Sequence, residues 1–380
     1  MRHFTRLSHR NFSIDKNFYP LGSCTMKYNP RINETVAGMD GFSNIHPLQD
    51  PSTVQGALEV LYQLTEMLKQ ISGLPYVSLQ PAAGAHGELT SLMMIKAYFE
   101  KKGEDRPIIL IPDSAHGTNP ASCTIAGFQV KNIHSDKRTG CTDLEDLKSQ
   151  LTPQVAGLMI TNPNTLGLFD INIVEIAKLM HQQGSLVYMD GANMNAIQGQ
   201  ALPGEFGIDI MHFNLHKTFS TPHGGGGPGA GPVAFNEKLA PFRPIPDVLR
   251  NATGEYYLNE NIPESIGKVK AFFGNFSVLV RAYCYIRALG KQGILDNSTY
   301  AVLNANYVFQ KLKKYFKVPY DKPCMHEFVV SCDLQAEKGV RALDIAKRLL
   351  DFGIHAPTIY FPSIVHECFM IEPTETETKE

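Results

Sequence analysis

Residues 208–227 read IDIMHFNLHKTFSTPHGGGG, and this stretch decides the fold. The apolar run at 210–213 predicts a buried strand, and Lys217 follows it after a short polar stretch. In open α/β sheets, ligands bind just beyond the carboxyl ends of the strands, so a lysine here projects towards a ligand crevice. A surface lysine at a strand end is the ordinary alternative, and the neighbouring motifs must decide between the two.

Apolar runs alternate with helical periodicity from residue 53 to residue 235. This alternation predicts an α/β fold, in which helices flank a parallel or mixed sheet in a large domain. The predicted strands are 108–111, 155–160, 186–189, 210–213 and 233–235. The predicted helices are 53–71, 88–101, 144–151 and 173–183. A polar cluster follows each of the first four strands, so we expect these clusters to converge on one site.

The pattern changes after the proline-rich segment PFRPIP at 241–246. Long helices are predicted at 268–289 and 296–316, followed by a strand at 327–332 and a helix at 342–352. This order predicts a smaller α+β C-terminal domain. We therefore expect an extended N-terminal arm at 1–52, a large domain at 53–245 and a small domain at 246–380.

Bulk composition excludes several classes of function. Hydrophobic residues make up 43% of the chain and charged residues 19%, as in ordinary globular enzymes, and no apolar run is long enough to span a membrane. A net charge of −2 provides no broad positive field for nucleic acid or anionic lipid. Seven scattered cysteines without a C-x-x-C pair argue against a disulfide framework and a zinc site. We expect no metal and a reducing, cytoplasmic compartment.

Lys217 and Asp190 together point to pyridoxal phosphate (PLP). PLP chemistry needs a Schiff-base lysine, an anion near the pyridine nitrogen, a phosphate cradle and a flat group against the ring. Asp190 follows the strand before that of Lys217 and opens the motif DGAN. A carboxylate there can keep the pyridine nitrogen protonated. An aspartate at this place can also be a helix cap or a turn residue, and its pairing with Lys217 favours the catalytic interpretation.

Candidates for the other PLP groups lie in two motifs and beside the lysine. The phosphate cradle is predicted at Gly84-Ala85-His86-Gly87, ahead of a helix expected to start near Glu88. His116, in PDSAHGTNPAS, is the candidate for the flat group against the ring. His216 could contact the phosphate or shuttle protons. Ordinary turn or backbone-bonded roles are the alternatives for the cradle and for His116.

A glycine-rich run follows the lysine motif. Gly224 to Gly227, with Gly229 and Gly231, are expected to let the backbone approach the cofactor or a partner chain closely. A flexible linker is the alternative. A linker between two strands of one sheet would be unusual, so close approach is favoured.

The motifs PLGSCTMKYNP, LQPAAGAHGEL, PDSAHGTNPAS, TNPNTLGLF, DGAN and NLHKTFSTPHGGGGPG together resemble the P-protein family of glycine decarboxylase. The resemblance runs from the first residues to the last and is specific to subunit 2, the catalytic subunit where the P-protein is divided into two chains. It implies the PLP-dependent transferase fold type I, like aspartate aminotransferase, with a mixed seven-stranded sheet. Because RHFTRLS is part of the family pattern, the basic N-terminus need not be a targeting signal.

The resemblance also implies the reaction. Glycine would replace Lys217 on PLP, lose CO2 and pass its aminomethyl group to the lipoyl arm of the H-protein. The implied assembly is a two-plus-two heterotetramer with a companion subunit 1. Ala192, within DGAN, is expected to line the cofactor site. The polar residues expected near the glycine carboxylate are His86, Asn119, Asn193 and Thr358, and whether Cys24 is a pocket residue or packing stays open.

Other interpretations stay open. Family members usually continue beyond both ends of this sequence, so we expect a chain clipped at both ends. A different fold-type-I amino-acid decarboxylase or a desulfurase could share Lys217, Asp190 and His116. An inactive truncated subunit, acting only as a partner, is the alternative from another class.

Overall fold

The computed structural model describes residues 1–223 and 229–379. Its helices are α1 (Arg2–Ser8), α2 (Arg31–Ala37), α3 (Asp40–Ser43), α4 (Gln55–Ser72), α5 (Gly84–Lys102), α6 (Asn119–Ile125), α7 (Leu144–Gln150), α8 (Ile173–Gln182), α9 (Leu215–Thr218), α10 (Phe276–Leu312), α11 (Asp333–Ala336) and α12 (Ala342–Asp351). Its strands are β1 (Tyr76–Ser78), β2 (Ile108–Pro112), β3 (Gln129–Ile133), β4 (Val155–Thr161), β5 (Leu186–Gly191), β6 (Ile210–Phe213), β7 (Val233–Phe235), β8 (Asp247–Arg250), β9 (Tyr256–Asn259), β10 (Phe328–Ser331), β11 (Thr358–Ile359) and β12 (Cys368–Ile371).

The large sheet has seven strands in the order β1-β7-β6-β5-β4-β2-β3. Strands β3, β2, β4, β5 and β6 are parallel, whereas β7 is antiparallel to β6 and β1 is antiparallel to β7. The expected mixed seven-stranded α/β sheet is confirmed. Because β2, β4, β5 and β6 are parallel, the polar segments that follow them meet at one edge of the sheet.

All five strands predicted for this sheet are present with nearly the predicted bounds. Strands β1 and β3 were not predicted. The first has only three residues, and four of the five side chains of β3 are at least partly exposed, so neither shows the apolar run of a buried strand. The predicted helix start near Glu88 was wrong, because α5 already begins at Gly84.

Helices cover both faces of the large sheet. Successive residues of a strand point to opposite faces, and the buried residues fall into two clusters accordingly. Side chains of α4, α8 and α10 pack in one cluster, and those of α5 and α6 pack in the other. Helix α4 ends at Ser72 and is capped by Gly73, whose φ of 70° suits glycine.

The long helices after the proline-rich segment form one element, α10, with a break at Gly290. The predicted start at residue 268 was wrong, since the helix begins at Phe276. The preceding segment instead packs against the loop between β1 and α5. A Cβ on Gly274 would lie 2.5 Å from the carbonyl oxygen of Leu79, and Asn275 Nδ2 donates to the carbonyl oxygen of Ala82 at 2.9 Å.

The remaining C-terminal elements form an antiparallel sheet in the order β10-β12-β11. Side chains from α10 and α12 pack on it. The N-terminal segment joins this sheet, because Leu21 forms a bridge with Ile371 of β12. Over the described residues, no helix combines the length and apolar character that a membrane crossing requires.

Candidate active site

Lys217 lies on the short helix α9, just beyond the carboxyl end of β6. Its side chain is buried, with the residue only 6% exposed. The Nζ atom donates a hydrogen bond to the carbonyl oxygen of Ser23 at 2.6 Å. Lys217 is therefore an inward-facing lysine and not a surface residue at a strand end.

Asp190 lies on the neighbouring strand β5, where it pairs in register with His212 of β6. Its Oδ1 accepts a hydrogen bond from the Ala192 backbone N–H at 2.9 Å, and its Oδ2 accepts one from Asn119 Nδ2 at 3.1 Å. Burial alone would raise the pKa of Asp190, but the charges of His212 and His116 and these hydrogen bonds together lower it. The carboxylate therefore stays ionised inside the protein.

His116 is held at the carboxyl end of β2 by two neighbouring segments. Its backbone N–H donates to Thr161 Oγ1 at 3.1 Å, and its Nδ1 lies 2.8 Å from Thr118 Oγ1. Thr118 in turn donates to Glu88 at 2.7 Å, and Ser122 donates to the other oxygen of Glu88 at 2.6 Å. Burial is the main cause that lowers the pKa of His116, and the charge of Asp190 opposes this shift.

The start of α5 lies against the segment that carries Lys217. A Cβ on Gly84 would lie 2.3 Å from Asn214 Oδ1, and one on Gly87 would lie 2.9 Å from the Cβ of His212. Gly84, Ala85 and His86 form the first helical turn, whose N–H groups have no acceptor within the helix. Such a turn can bind an anion, and the glycines let it approach the lysine segment.

His216 and His223 meet edge to face beside Lys217, with ring centroids 5.1 Å apart. Burial, followed by the charge of Lys217, lowers the pKa of His216 to about 3 and that of His223 to about 4. Both rings are therefore neutral near pH 7. They line a cavity of about 370 Å³, to which Phe12, Tyr19, Thr25 and Lys27 also contribute.

Several buried polar atoms on the lysine segment lack a hydrogen-bond partner within the described part of the chain. They are Asn214 Oδ1, His216 Nδ1, Thr218 Oγ1, Ser220 Oγ and Thr221 Oγ1. Buried polar atoms are normally hydrogen-bonded, so a group of unpaired ones fits a polar ligand. The position of Asp190 and the α5 turn further suits a ligand with a protonated nitrogen and an anionic group.

The four residues expected near a substrate carboxylate already have partners in the protein. His86 Nδ1 accepts from the backbone N–H of Ala82 at 3.1 Å, and Asn119 binds Asp190. Asn193 and Thr358 donate to backbone carbonyl oxygens at 2.8 and 2.7 Å. None of the four therefore stands out as a free carboxylate donor among the residues that the structure describes.

Two glycines of the run after Lys217 can be placed. A Cβ on Gly231 would lie 2.1 Å from the carbonyl oxygen of Ala83, and one on Gly229 would lie 2.8 Å from His216 Nδ1. Gly224 to Gly227 lie outside the described residues. The close backbone approach seen here is to other parts of the same chain.

Sequence reasoning missed three residues of this site: Ser23, Glu88 and His212. Ser23 lies far from Lys217 along the chain, in the motif PLGSCTMKYNP. Glu88 was assigned only to a helix start. His212 lies within the strand IMHF, where a polar residue in an apolar run was the available signal. It is fully buried, and its Nε2 lies 3.5 Å from Asp190 Oδ1.

The fold and this site define the class: the chain has the PLP-dependent transferase fold type I. A crystal structure of glycine decarboxylase (P-protein) in inhibitor-bound form matches with a TM-score of 0.83 at 18% identity, over 100% of this chain and 85% of that one. A cysteine desulfurase from Thermococcus onnurineus matches with a TM-score of 0.71 at 13% identity, over 96% and 91% of the two chains. These likenesses establish the fold.

Within that class, the chain belongs to the glycine cleavage system P-protein family. Residues 1–252 match that family, and residues 297–380 match the C-terminal domain of glycine dehydrogenase. The probable glycine dehydrogenase (decarboxylating) subunit 2 of Chloroherpeton thalassium is 56% identical over 383 residues, covering 100% of this chain and 78% of the relative. The corresponding protein of Bacillus cytotoxicus is 58% identical over 381 residues, covering 100% and 77%.

Proposed function

We propose that this chain catalyses PLP-dependent decarboxylation of glycine and transfer of the aminomethyl group to the lipoyl arm of an H-protein. The observation that carries the proposal is that a buried lysine follows β6 and a buried aspartate lies on β5, the adjacent parallel strand. The relatives named glycine dehydrogenase (decarboxylating) subunit 2 support the choice of reaction. The chain therefore acts as an oxidoreductase of the glycine cleavage system.

Lys217 is the residue proposed to attach PLP covalently, and Asp190 to hold a proton on the pyridine nitrogen. When bound, PLP supplies an electron sink for the pair of electrons left by the departing carboxylate. Asp190 can serve because the protein keeps it charged away from water, where its field is strongest. Hydrogen bonds from Asn119 and Ala192 fix the direction of the carboxylate.

The remaining cofactor contacts follow from the same edge of the sheet. The N–H groups of Gly84, Ala85 and His86 are proposed to bind the phosphate, since they open α5. His116 is proposed to pack on the ring. His216 is proposed to contact the phosphate or to shuttle protons, and its low pKa keeps the ring neutral at neutral pH, with one nitrogen able to donate a hydrogen bond.

The domain division supports this arrangement. We propose the arm 1–52, the PLP-binding large domain 53–245 and the small domain 246–380 as its units. The arm reaches the lysine, because Ser23 binds Lys217, and the small domain holds the arm, because Thr358 binds Gly22. Lys217 thus lies in the large domain, its amine is bound by the arm, and the arm is bound by the small domain.

Partners follow from the names of the relatives. The designation of these relatives as subunit 2 implies a companion subunit. We propose a two-plus-two heterotetramer with subunit 1, with glycine and the lipoylated H-protein as substrates, in the cytoplasm. The seven cysteines are free, five of them buried, as suits a reducing compartment.

The test has two arms on the assembled enzyme. Borohydride reduction followed by peptide mapping should place a pyridoxyl group on Lys217. Exchange of the glycine carboxyl group with labelled bicarbonate should require both the companion subunit and lipoylated H-protein. Lys217→Arg should abolish labelling and exchange, whereas Lys96→Arg, in the same domain, should preserve both. A pyridoxyl group elsewhere, or exchange without H-protein, would overturn the proposal.

A further inference from the structure

Two buried glutamates hold the loop that covers Lys217. The backbone N–H of Ser23 donates to Glu327 Oε2 at 2.7 Å, and that of Thr25 donates to Glu372 Oε2 at 2.9 Å. Glu327 directly precedes β10 and Glu372 directly follows β12. Glu327 and Glu372 are only 0% and 1% exposed, so these hydrogen bonds form away from water.

The loop needs such support because its backbone is unfavourable. Ser23 has a φ of 66° and Thr25 a φ of 45°, both in the left-handed region that residues with a Cβ avoid. Strained backbone of this kind persists only where the surroundings over-determine it. Further contacts act in the same place: Thr358 Oγ1 donates to the Gly22 carbonyl oxygen at 2.7 Å, and a Cβ on Gly22 would lie 2.3 Å from Met370 Cγ.

The loop presents its own carbonyl group to the lysine. Ser23 uses its N–H for Glu327 and its carbonyl oxygen for Lys217 Nζ. The peptide on each side of Ser23 is thus bound by a charged or ionisable group. A shift of the loop that breaks the glutamate bonds would also move the oxygen that binds the lysine.

The two glutamates act next to each other. Their second oxygens lie 3.8 and 3.9 Å from His326 Nε2 and lack a hydrogen-bond partner within the described residues. Burial raises the pKa of both carboxyl groups, that of Glu372 to about 7, and Lys217 opposes the rise in each. The charge of Lys217 therefore acts on the pKa of both glutamates.

We propose that Glu327 and Glu372 are positioning residues, which hold Ser23 to Thr25 so that the Ser23 carbonyl oxygen binds the amine of Lys217. The inference rests on the proposed function of Lys217 as the cofactor lysine. The carbonyl oxygen accepts a hydrogen bond from the amine whenever that amine is free, and so keeps it within the site. Neither glutamate touches the reacting atoms.

Hydrogen–deuterium exchange of the peptide spanning 20–28 tests the positioning directly. Glu327→Ala and Glu372→Ala should each speed exchange of this peptide about tenfold, because one backbone N–H loses its acceptor. Glu327→Gln and Glu372→Gln keep an acceptor oxygen and should restore slow exchange. Glu367→Ala is the matched control: this buried glutamate accepts the Ala342 N–H at 2.8 Å and should change exchange near residue 342 only.

Activity of the assembled enzyme gives the second readout. The alanine variants should lower kcat of glycine–bicarbonate exchange by about 10- to 100-fold. KM should change little, because these substitutions displace the amine and leave glycine binding unaffected. The glutamine variants should recover most of kcat. If an alanine variant fails to fold, Glu372→Asp is used in its place. This change moves the acceptor away from the Thr25 N–H by the length of one methylene group.

The outcomes separate the two proposals. Unchanged exchange of the 20–28 peptide in both alanine variants would overturn the positioning role. Faster deuterium exchange of this peptide with an unchanged kcat would also overturn it, because the position of the loop would then have no effect on the lysine. A wild-type enzyme without a pyridoxyl group on Lys217 would instead defeat the proposed function, while the exchange experiment would still report on the loop.

Discussion

Lys27 Nζ and Glu375 Oε1 lie 2.6 Å apart, with side chains that are only 1% and 5% exposed. Lys27 also donates to Asn195 Oδ1 at 2.8 Å and to the carbonyl oxygen of Thr218 at 2.7 Å. Burial lowers the pKa of Lys27, but Glu375 and Tyr285 outweigh burial and raise it. One cation therefore ties the N-terminal arm to the lysine segment and to the C-terminal segment.

Replacing Lys27 by methionine should destabilise the protein by about 3–5 kcal/mol, because Glu375 would be left as an unpaired buried charge. Urea unfolding monitored by circular dichroism measures this change in the free energy of unfolding. Arg348→Ala removes the exposed Arg348–Asp351 pair and should change stability by less than about 0.5 kcal/mol. Equal losses in the two variants would contradict the structural role of Lys27.

Asp190→Asn keeps the size of the side chain and removes its charge. We expect glycine–bicarbonate exchange to fall by about 10²–10³-fold, since a fixed charge at the reacting centre is lost. Asp209→Asn provides the control, because Asp209 is equally buried but lies at the opposite end of β6. Steady-state kinetics of both variants, with cofactor content measured by absorbance, check the prediction. Full activity of Asp190→Asn would refute the role of Asp190.

Gly84→Ala should weaken folding and cofactor binding together. The new Cβ would lie 2.3 Å from Asn214 Oδ1, so α5 must move away from the lysine segment, at a cost of about 1–3 kcal/mol. Gly56→Ala in α4 has nothing within 4 Å of the new Cβ and should stabilise the protein by about 0.4–1 kcal/mol. Thermal unfolding with and without added PLP distinguishes the two. An unchanged melting temperature for Gly84→Ala would show that α5 tolerates the shift.

Acid should destabilise the protein partly through His326. Burial, followed by the charge of Lys217, lowers the pKa of His326 to about 3, below the ordinary value of 6.5. The unfolded chain therefore binds the extra proton first, and the contribution of His326 to stability is lost as the pH falls from about 6.5 towards 3.

In His326→Gln, the fall in unfolding free energy over this acid range should be shallower by up to about 1.4 kcal/mol per pH unit. Urea unfolding at a series of pH values measures the slopes of the wild type and the variant. Parallel profiles for wild type and His326→Gln would rule out this contribution of His326.

The sequence predicted the large sheet well because its central strands are short apolar runs followed at once by polar clusters. Strand β6 was predicted with its observed bounds, and Asp190 and Lys217 were paired on that basis. The motif at Gly84 was recognised, but its helix start was placed too late, because glycines weaken the helical pattern at Gly84 and Gly87. The local sequence was thus sufficient to predict elements that depend on residues close together in the chain.

Contacts between distant segments could not be predicted in this way. Glu327 opens the predicted strand at 327–332, and no element is predicted at Glu372. Their partners Ser23 and Thr25 lie 304 and 347 residues earlier in the chain, and no periodicity links such positions. Only the folded chain shows that both glutamates serve one loop.

The attachment of the Ser23 loop to β10 and β12 has a consequence for protein synthesis. A growing chain completes β2, β4, β5 and β6 early, and domains tend to fold from the N-terminus as they emerge. The acceptor for the Thr25 N–H, Glu372, is made much later. Until Glu372 leaves the ribosome, the loop that covers Lys217 lacks one of its two glutamate acceptors, so the site of the nascent chain is incomplete.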